Sequence, residues 1–93
     1  MGLPRLKPLL ALVVLALLPP PPAPAASQLL DRVKSNPALA RRLCADFRQL
    51  NTQGLSATSP QAIARVARDQ DLNAIDAEVL TTYVIGLYCP EVR

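Results

Sequence analysis

Apolar residues recur at intervals of three and four from Leu29 to Leu87, the spacing that gathers side chains along one face of an α-helix. Leu29, Leu30 and Val33 fall on one side of a short segment, Gln28 to Lys34, with Ser27 placed to cap it. Asn36-Pro37 ends that segment and opens the next, since Asn is a favoured N-cap and Pro suits the first helical position. From Pro37 to about Thr52, Leu39, Leu43, Phe47 and Leu50 share a face, with Ala40 and Cys44 along its edge. Arg41, Ala45 and Arg48 occupy the opposite side. Gly54 is placed to turn left-handed past the last turn, with Leu55 folding back on Leu50 as in a Schellman end. Ser59-Pro60 then starts a third helix, buried through Ala62, Ile63, Val66 and Ala67, with Arg65 and Arg68 outward.

Asn73 caps a fourth helix, and Asp76 in its first turn suits the helix dipole. Between Ala74 and Tyr88, the residues Ile75, Val79, Leu80, Tyr83, Val84, Leu87 and Tyr88 cover more than half the circumference. A helix apolar over that much surface needs neighbours on several sides, so it is expected at the centre. The β-branched residues Thr81, Thr82, Val84 and Ile85 favour a strand by propensity, but an isolated strand among helices has no pairing partner. Pro90 stops the helix just after Cys89. The predicted fold is all-α, a small bundle of three main helices plus a short N-terminal one.

The beginning of the chain has a different pattern. Arg5 and Lys7 precede an unbroken apolar run, Leu9 to Leu18, and a proline-rich stretch leads to Ala23-Pro24-Ala25. Positive start, apolar centre and small residues at the two positions a signal peptidase reads define a secretory signal peptide. The run is shorter than the ~20 residues a membrane-spanning helix needs. The expected organisation is a signal peptide over 1–25, cleaved after Ala25, and one helical domain over 26–93. A secreted or periplasmic location follows, with no stable membrane span after cleavage.

Removing the leader changes the charge argument. Arg5 and Lys7 leave with it and no acid does, so ten basic side chains fall to eight against seven acidic ones. Arg41, Arg42, Arg48, Arg65 and Arg68 are interspersed with Asp46, Asp69 and Asp71 and form no basic stripe of the kind that binds nucleic acid. A nucleic-acid partner is not expected.

The chemistry-bearing residues are few. With no histidine, the usual general base at neutral pH and the commonest zinc ligand are both missing. Cys44 and Cys89 are too far apart for a zinc knuckle or a redox CxxC pair. No glycine-rich phosphate loop occurs, and Asp69 and Asp71 sit where a helix-to-helix connection is expected, as ordinary turn residues. The expectation is no enzyme, no catalytic residue, no metal and no cofactor. In an exported domain this small, the two cysteines permit one intramolecular pairing, a Cys44–Cys89 bridge between the second and fourth helices. Tyr83, Gly86 and Tyr88 mark a candidate partner-binding face. Tyrosine is favoured at binding surfaces, and a mid-helix glycine points to close helix packing or to a flat docking surface.

Leu43-Cys44, Gly54-Leu55-Ser56 and Tyr88-Cys89-Pro90 together resemble a family of small, secreted, helical two-cysteine domains of unknown function, best known from mycobacteria. The resemblance spans roughly 39–90 and implies a helical bundle with a disulfide and no activity. Cys44-Ala45-Asp46-Phe47 is also similar to the segment around the first cysteine of the periplasmic acid-stress chaperones of the Hde type. Those proteins carry a denser set of ionisable residues than the seven acids here. The function expected is therefore an exported, non-enzymatic binding module for a protein partner that the sequence does not name. The alternatives are an acid-stress chaperone exposing apolar surface at low pH and a peptide held in the membrane by an uncut leader.

Overall fold

A computed structural model describes residues 25–93, with the backbone alone at Ala25. The signal peptide, including Ala23 of its cleavage site, lies outside the described residues except for Ala25. Four helices follow: α1 (Ala25–Ser35), α2 (Pro37–Thr52), α3 (Pro60–Gln70) and α4 (Ala74–Tyr88). The fold is all-α, as the periodicity predicts, and the β-branched run in α4 is helical. Tertiary packing, not propensity, decides that segment.

The helix starts follow the capping chemistry read from the sequence. Asn36 Oδ1 accepts from the Leu39 N–H at 3.2 Å, Ser59 Oγ from Ala62 N–H at 3.2 Å and Asn73 Oδ1 from Asp76 N–H at 2.8 Å. Each bond satisfies a backbone donor that the first helical turn leaves unpaired. Ser27 is the exception: it lies inside α1 and not at its cap. The end of α2 is a Schellman motif. Gly54 has φ +77°, the Leu55 N–H donates to Leu50 O at 2.9 Å, and the Gly54 N–H to Asn51 O at 3.0 Å. The end of α3 repeats this geometry with an aspartate. Asp71 adopts φ 54°, and the Leu72 N–H donates to Ala67 O at 2.8 Å. Asp69 belongs to the last turn of α3, so only Asp71 of the two carboxylates is a turn residue.

Helix α4 is central. It packs against α1, α2 and α3, α1 and α2 also touch, and α3 meets no helix other than α4. One core joins Leu29 and Val33 of α1, Leu43 and Phe47 of α2, Ile63 and Val66 of α3, and Ala77, Leu80 and Val84 of α4. The buried side of α2 is rotated from the expected one. Ala40 and Cys44 are fully enclosed, whereas Leu39 and Leu50 are half-buried. The cause is the disulfide: Cys44 and Cys89 are bridged with their Cα atoms 6.0 Å apart, which turns that side of α2 onto the end of α4. Both sulfurs are buried, and among the described residues no free cysteine remains.

The last four residues fold back in a way the periodicity did not foreshadow. Val92 is buried, and Arg93 meets the loop between α2 and α3. The Asn51 side chain pairs with its main chain in both directions, Oδ1 accepting from Arg93 N–H and Nδ2 donating to Arg93 O, each at 2.8 Å. Asn51 Nδ2 also donates to Leu55 O at 3.0 Å, and the N–H of the fully buried Ala57 donates to Arg93 O at 2.7 Å. The tail thus leaves α4 through a turn at Pro90-Glu91, closed by the Val92 N–H donating to Cys89 O at 3.0 Å, and ends paired to a side-chain amide. Beside it, Arg48 Nε donates to Glu91 Oε1 at 2.7 Å, an ion pair between side chains that are both more than half exposed.

Candidate docking face

Three helices do not cover α4. Its buried side chains are Ala77, Leu80, Thr81 and Val84. Ile75 and Leu87, both expected on a covered apolar face, are 74% and 52% exposed, and Val79 and Tyr83 are half-buried. Ile75, Val79, Tyr83 and Leu87 follow one another at intervals of four, so they form one ridge along the helix, about 18 Å long at 1.5 Å per residue. The correction has a simple cause. More of the circumference is apolar than α1, α2 and α3 together cover.

Two shallow depressions flank Ile75. One, of about 280 Å³, is lined by Ile75, Glu78, Val79, Thr82 and Tyr83. The other, of about 320 Å³, lies between α3 and α4, with Pro60, Ile63, Ala64, Ala74, Ile75 and Glu78 among its walls. Glu78 is the one charged residue lining either depression.

The three residues singled out from the sequence do not form one surface. Tyr83 belongs to the ridge. Gly86 is exposed at its C-terminal end, and a Cβ built there meets no atom within 4 Å, so close helix packing is not its role. Tyr88 is five positions beyond Tyr83, about 140° around the helix; both are half-buried and pack against the core, Tyr88 next to the disulfide. The residues that sequence reasoning missed are Ile75 and Leu87 as exposed members. The available signal was the size of the apolar sector on α4, too wide for three short neighbours to cover.

A second groove, of about 210 Å³, opens where α2 and α3 diverge. Asp46, Gln49, Gln53, Gln61 and Arg65 line it above Leu50, Ala62 and the 45%-exposed Leu55. Leu55 and Leu50 therefore share this groove's floor. Ser59 also lines it, its hydroxyl engaged in capping α3. Among the described residues, no three His, Cys, Asp or Glu side chains are grouped to hold a metal ion, and no helix is long and apolar enough to cross a membrane. Glu91 shows a clear electrostatic perturbation. A backbone hydrogen bond at Glu91 itself, and then the hydrogen bond from Arg48, hold its carboxyl below the usual carboxylate value.

The fold and face define a small, all-α, disulfide-pinned domain with an uncovered apolar ridge. Residues 30–89 match the family described as a domain of unknown function (DUF8664), and the chain belongs to that family. No curated protein and no solved structure matches it. The matched span runs from the core of α1 to Cys89 and stops short of the Glu91–Arg93 tail.

Proposed function

We propose that the protein is an exported, non-enzymatic binding module whose docking face is the outer ridge of α4. The observation that carries this reading is the exposure of Ile75 and Leu87 on the very helix that organises the core. Leaving large apolar side chains in water on a rigid, central helix forgoes burial energy that a partner recovers on docking. Gly86 supports it: in a helix interior glycine costs about 1 kcal/mol relative to alanine, and here no intramolecular packing requires it. Export is inferred from Arg5, Lys7, Leu9 to Leu18 and Ala23-Pro24-Ala25, and a closed, buried disulfide is at home in the oxidising compartments that export reaches.

The acid-chaperone reading, and with it the Hde likeness, requires carboxylates that the fold holds ionised and that acid releases. Among the described residues the one ion pair is the solvent-exposed Arg48–Glu91 contact, so acid has little to unlock. We expect no suppression of client aggregation at pH 2–3.

The test is site-specific photo-crosslinking in the exporting cell, with the crosslinker at Ile75 and, as a control, at Ala45 on the exposed side of α2. Discrete adducts from position 75 alone support the docking face. Equal adducts from both positions, or none from 75, refute it. Intact mass of the exported protein checks cleavage after Ala25.

A further inference from the structure

The docking-face reading leaves the occupant's chemistry open, and the lining of the ridge narrows it. We infer that the α4 ridge takes an amphipathic helical segment of a partner protein, apolar along one stripe and cationic toward the end that reaches Glu78. This inference rests on the docking-face reading and adds the chemical class of the partner.

Shape excludes the other common peptide mode. Strand addition needs a sheet edge with free backbone donors and acceptors, and among the described residues every regular element is a helix. A ridge of side chains spaced by four, with a depression on each side of Ile75, instead matches the ridges-into-grooves packing of a second helix. Between three and four turns of such a helix cover the distance from Ile75 to Leu87.

Charge selects the sign. Neither depression is lined by Arg or Lys, and Glu78 stands in both. Helix α4 has no basic residue anywhere along its length, and its two charges, Asp76 and Glu78, both lie in its N-terminal half. Arg65, on the neighbouring α3, lines the separate groove toward α2. A cation arriving beside Ile75 thus meets the Glu78 carboxylate with no competing guanidinium among the lining residues, whereas an acidic helix is repelled. An exposed charge pair adds only a modest increment of affinity, together with orientation and association rate, and all three weaken as salt rises. The same sign disfavours a second copy docking α4 on α4 in parallel register, because Glu78 would face Glu78.

The experiment titrates the oxidised protein with two synthetic 14-residue helical peptides at low ionic strength. Both carry leucines at alternating spacings of three and four, and they differ in having two lysines or two glutamates at one end. The expected result is binding of the lysine peptide about fivefold tighter than the glutamate peptide, with the preference reversed by Glu78→Lys and binding lost in Ile75→Asp. Circular dichroism confirms that these exposed substitutions leave the fold intact. Equal binding of both peptides, or preference for the glutamate one, overturns the inference. Binding of neither overturns it too, and the crosslinks from position 75 then decide separately whether the docking face itself stands. Concentration-dependent self-association that Ile75→Asp abolishes would identify the occupant as a second copy and likewise overturn the inference.

Discussion

The two ends of α4 are built on opposite principles. At its C-terminal end, Cys89 is bridged to Cys44, Val92 is buried, and Asn51 and Ala57 hold the main chain of Arg93 from two directions. At its N-terminal end, the Asn73 cap is the principal polar anchor, and the first large apolar residue, Ile75, projects into solvent. One end is secured by covalent and hydrogen bonds, with Leu87 of the ridge left exposed beside them. The other is rigid through its attachment to the core yet presents bare apolar surface. A small domain can present such a surface without collapsing onto it because the lock at the far end fixes the helix.

The largest effect expected from breaking this contrast is at the lock. Replacing both cysteines with serine frees a loop with a sequence separation of 45. On the chain-entropy account this removes roughly 4 kcal/mol, enough to lower the melting temperature by well over 10 °C in a domain of this size. Thermal melts of the double variant, and of the native protein with reductant, check it. A melt unchanged by bridge removal would mean the core alone holds α4 in place.

The next effect separates the two faces of the same helix. Leu80, fully enclosed, should cost about 2–5 kcal/mol when cut to alanine. Ile75→Ala should change stability by no more than about 0.5 kcal/mol while weakening partner crosslinking. Denaturant titration of both variants reads the difference directly. A large cost at Ile75 would return that residue to the core.

Removing the amide that holds the tail should cost less. Asn51→Ala loses the two bonds to Arg93 and the bond to Leu55. With the site open to solvent, about 1–2 kcal/mol is expected, along with faster hydrogen exchange at the Ala57 amide.

The two glycines of the described chain should respond with opposite signs. Gly54 holds φ +77°, which a Cβ disfavours, so Gly54→Ala should destabilise by about 1 kcal/mol. Gly86 is helical with open space around it, so Gly86→Ala should stabilise by up to about 1 kcal/mol. Paired melts test both, and a loss at position 86 would reveal packing there.

The smallest effect is electrostatic. Because the Glu91 carboxyl is held below its ordinary value, its contribution is present above the unfolded-state value and is lost as pH falls through the lower folded one. Glu91→Gln should therefore differ slightly from the native protein at neutral pH and converge with it below the usual carboxylate range. High salt should shrink the difference at neutral pH, since both partners are exposed.

Much of the fold was legible along the chain because its determinants are local. Asn36-Pro37, Ser59-Pro60 and Asn73 each satisfy donors within three residues, and Gly54 closes α2 through bonds to Leu50 and Asn51. Spacings of three and four set which side of each helix is apolar, and a single pair of cysteines left one bridge to expect. Only the tertiary structure decided which part of α4's apolar sector is covered, for that depends on where α1, α2 and α3 sit. It placed Tyr83 and Tyr88 about 140° apart around α4, each half-buried at the edge of the core, a degree of exposure that residue type cannot carry. It also joined Asn51 to Arg93 across 42 positions, since a side-chain amide pairing with a distant main chain leaves no periodic trace in sequence. Local hydrogen bonding and periodicity are written residue by residue, whereas exposure is a property of the assembled bundle.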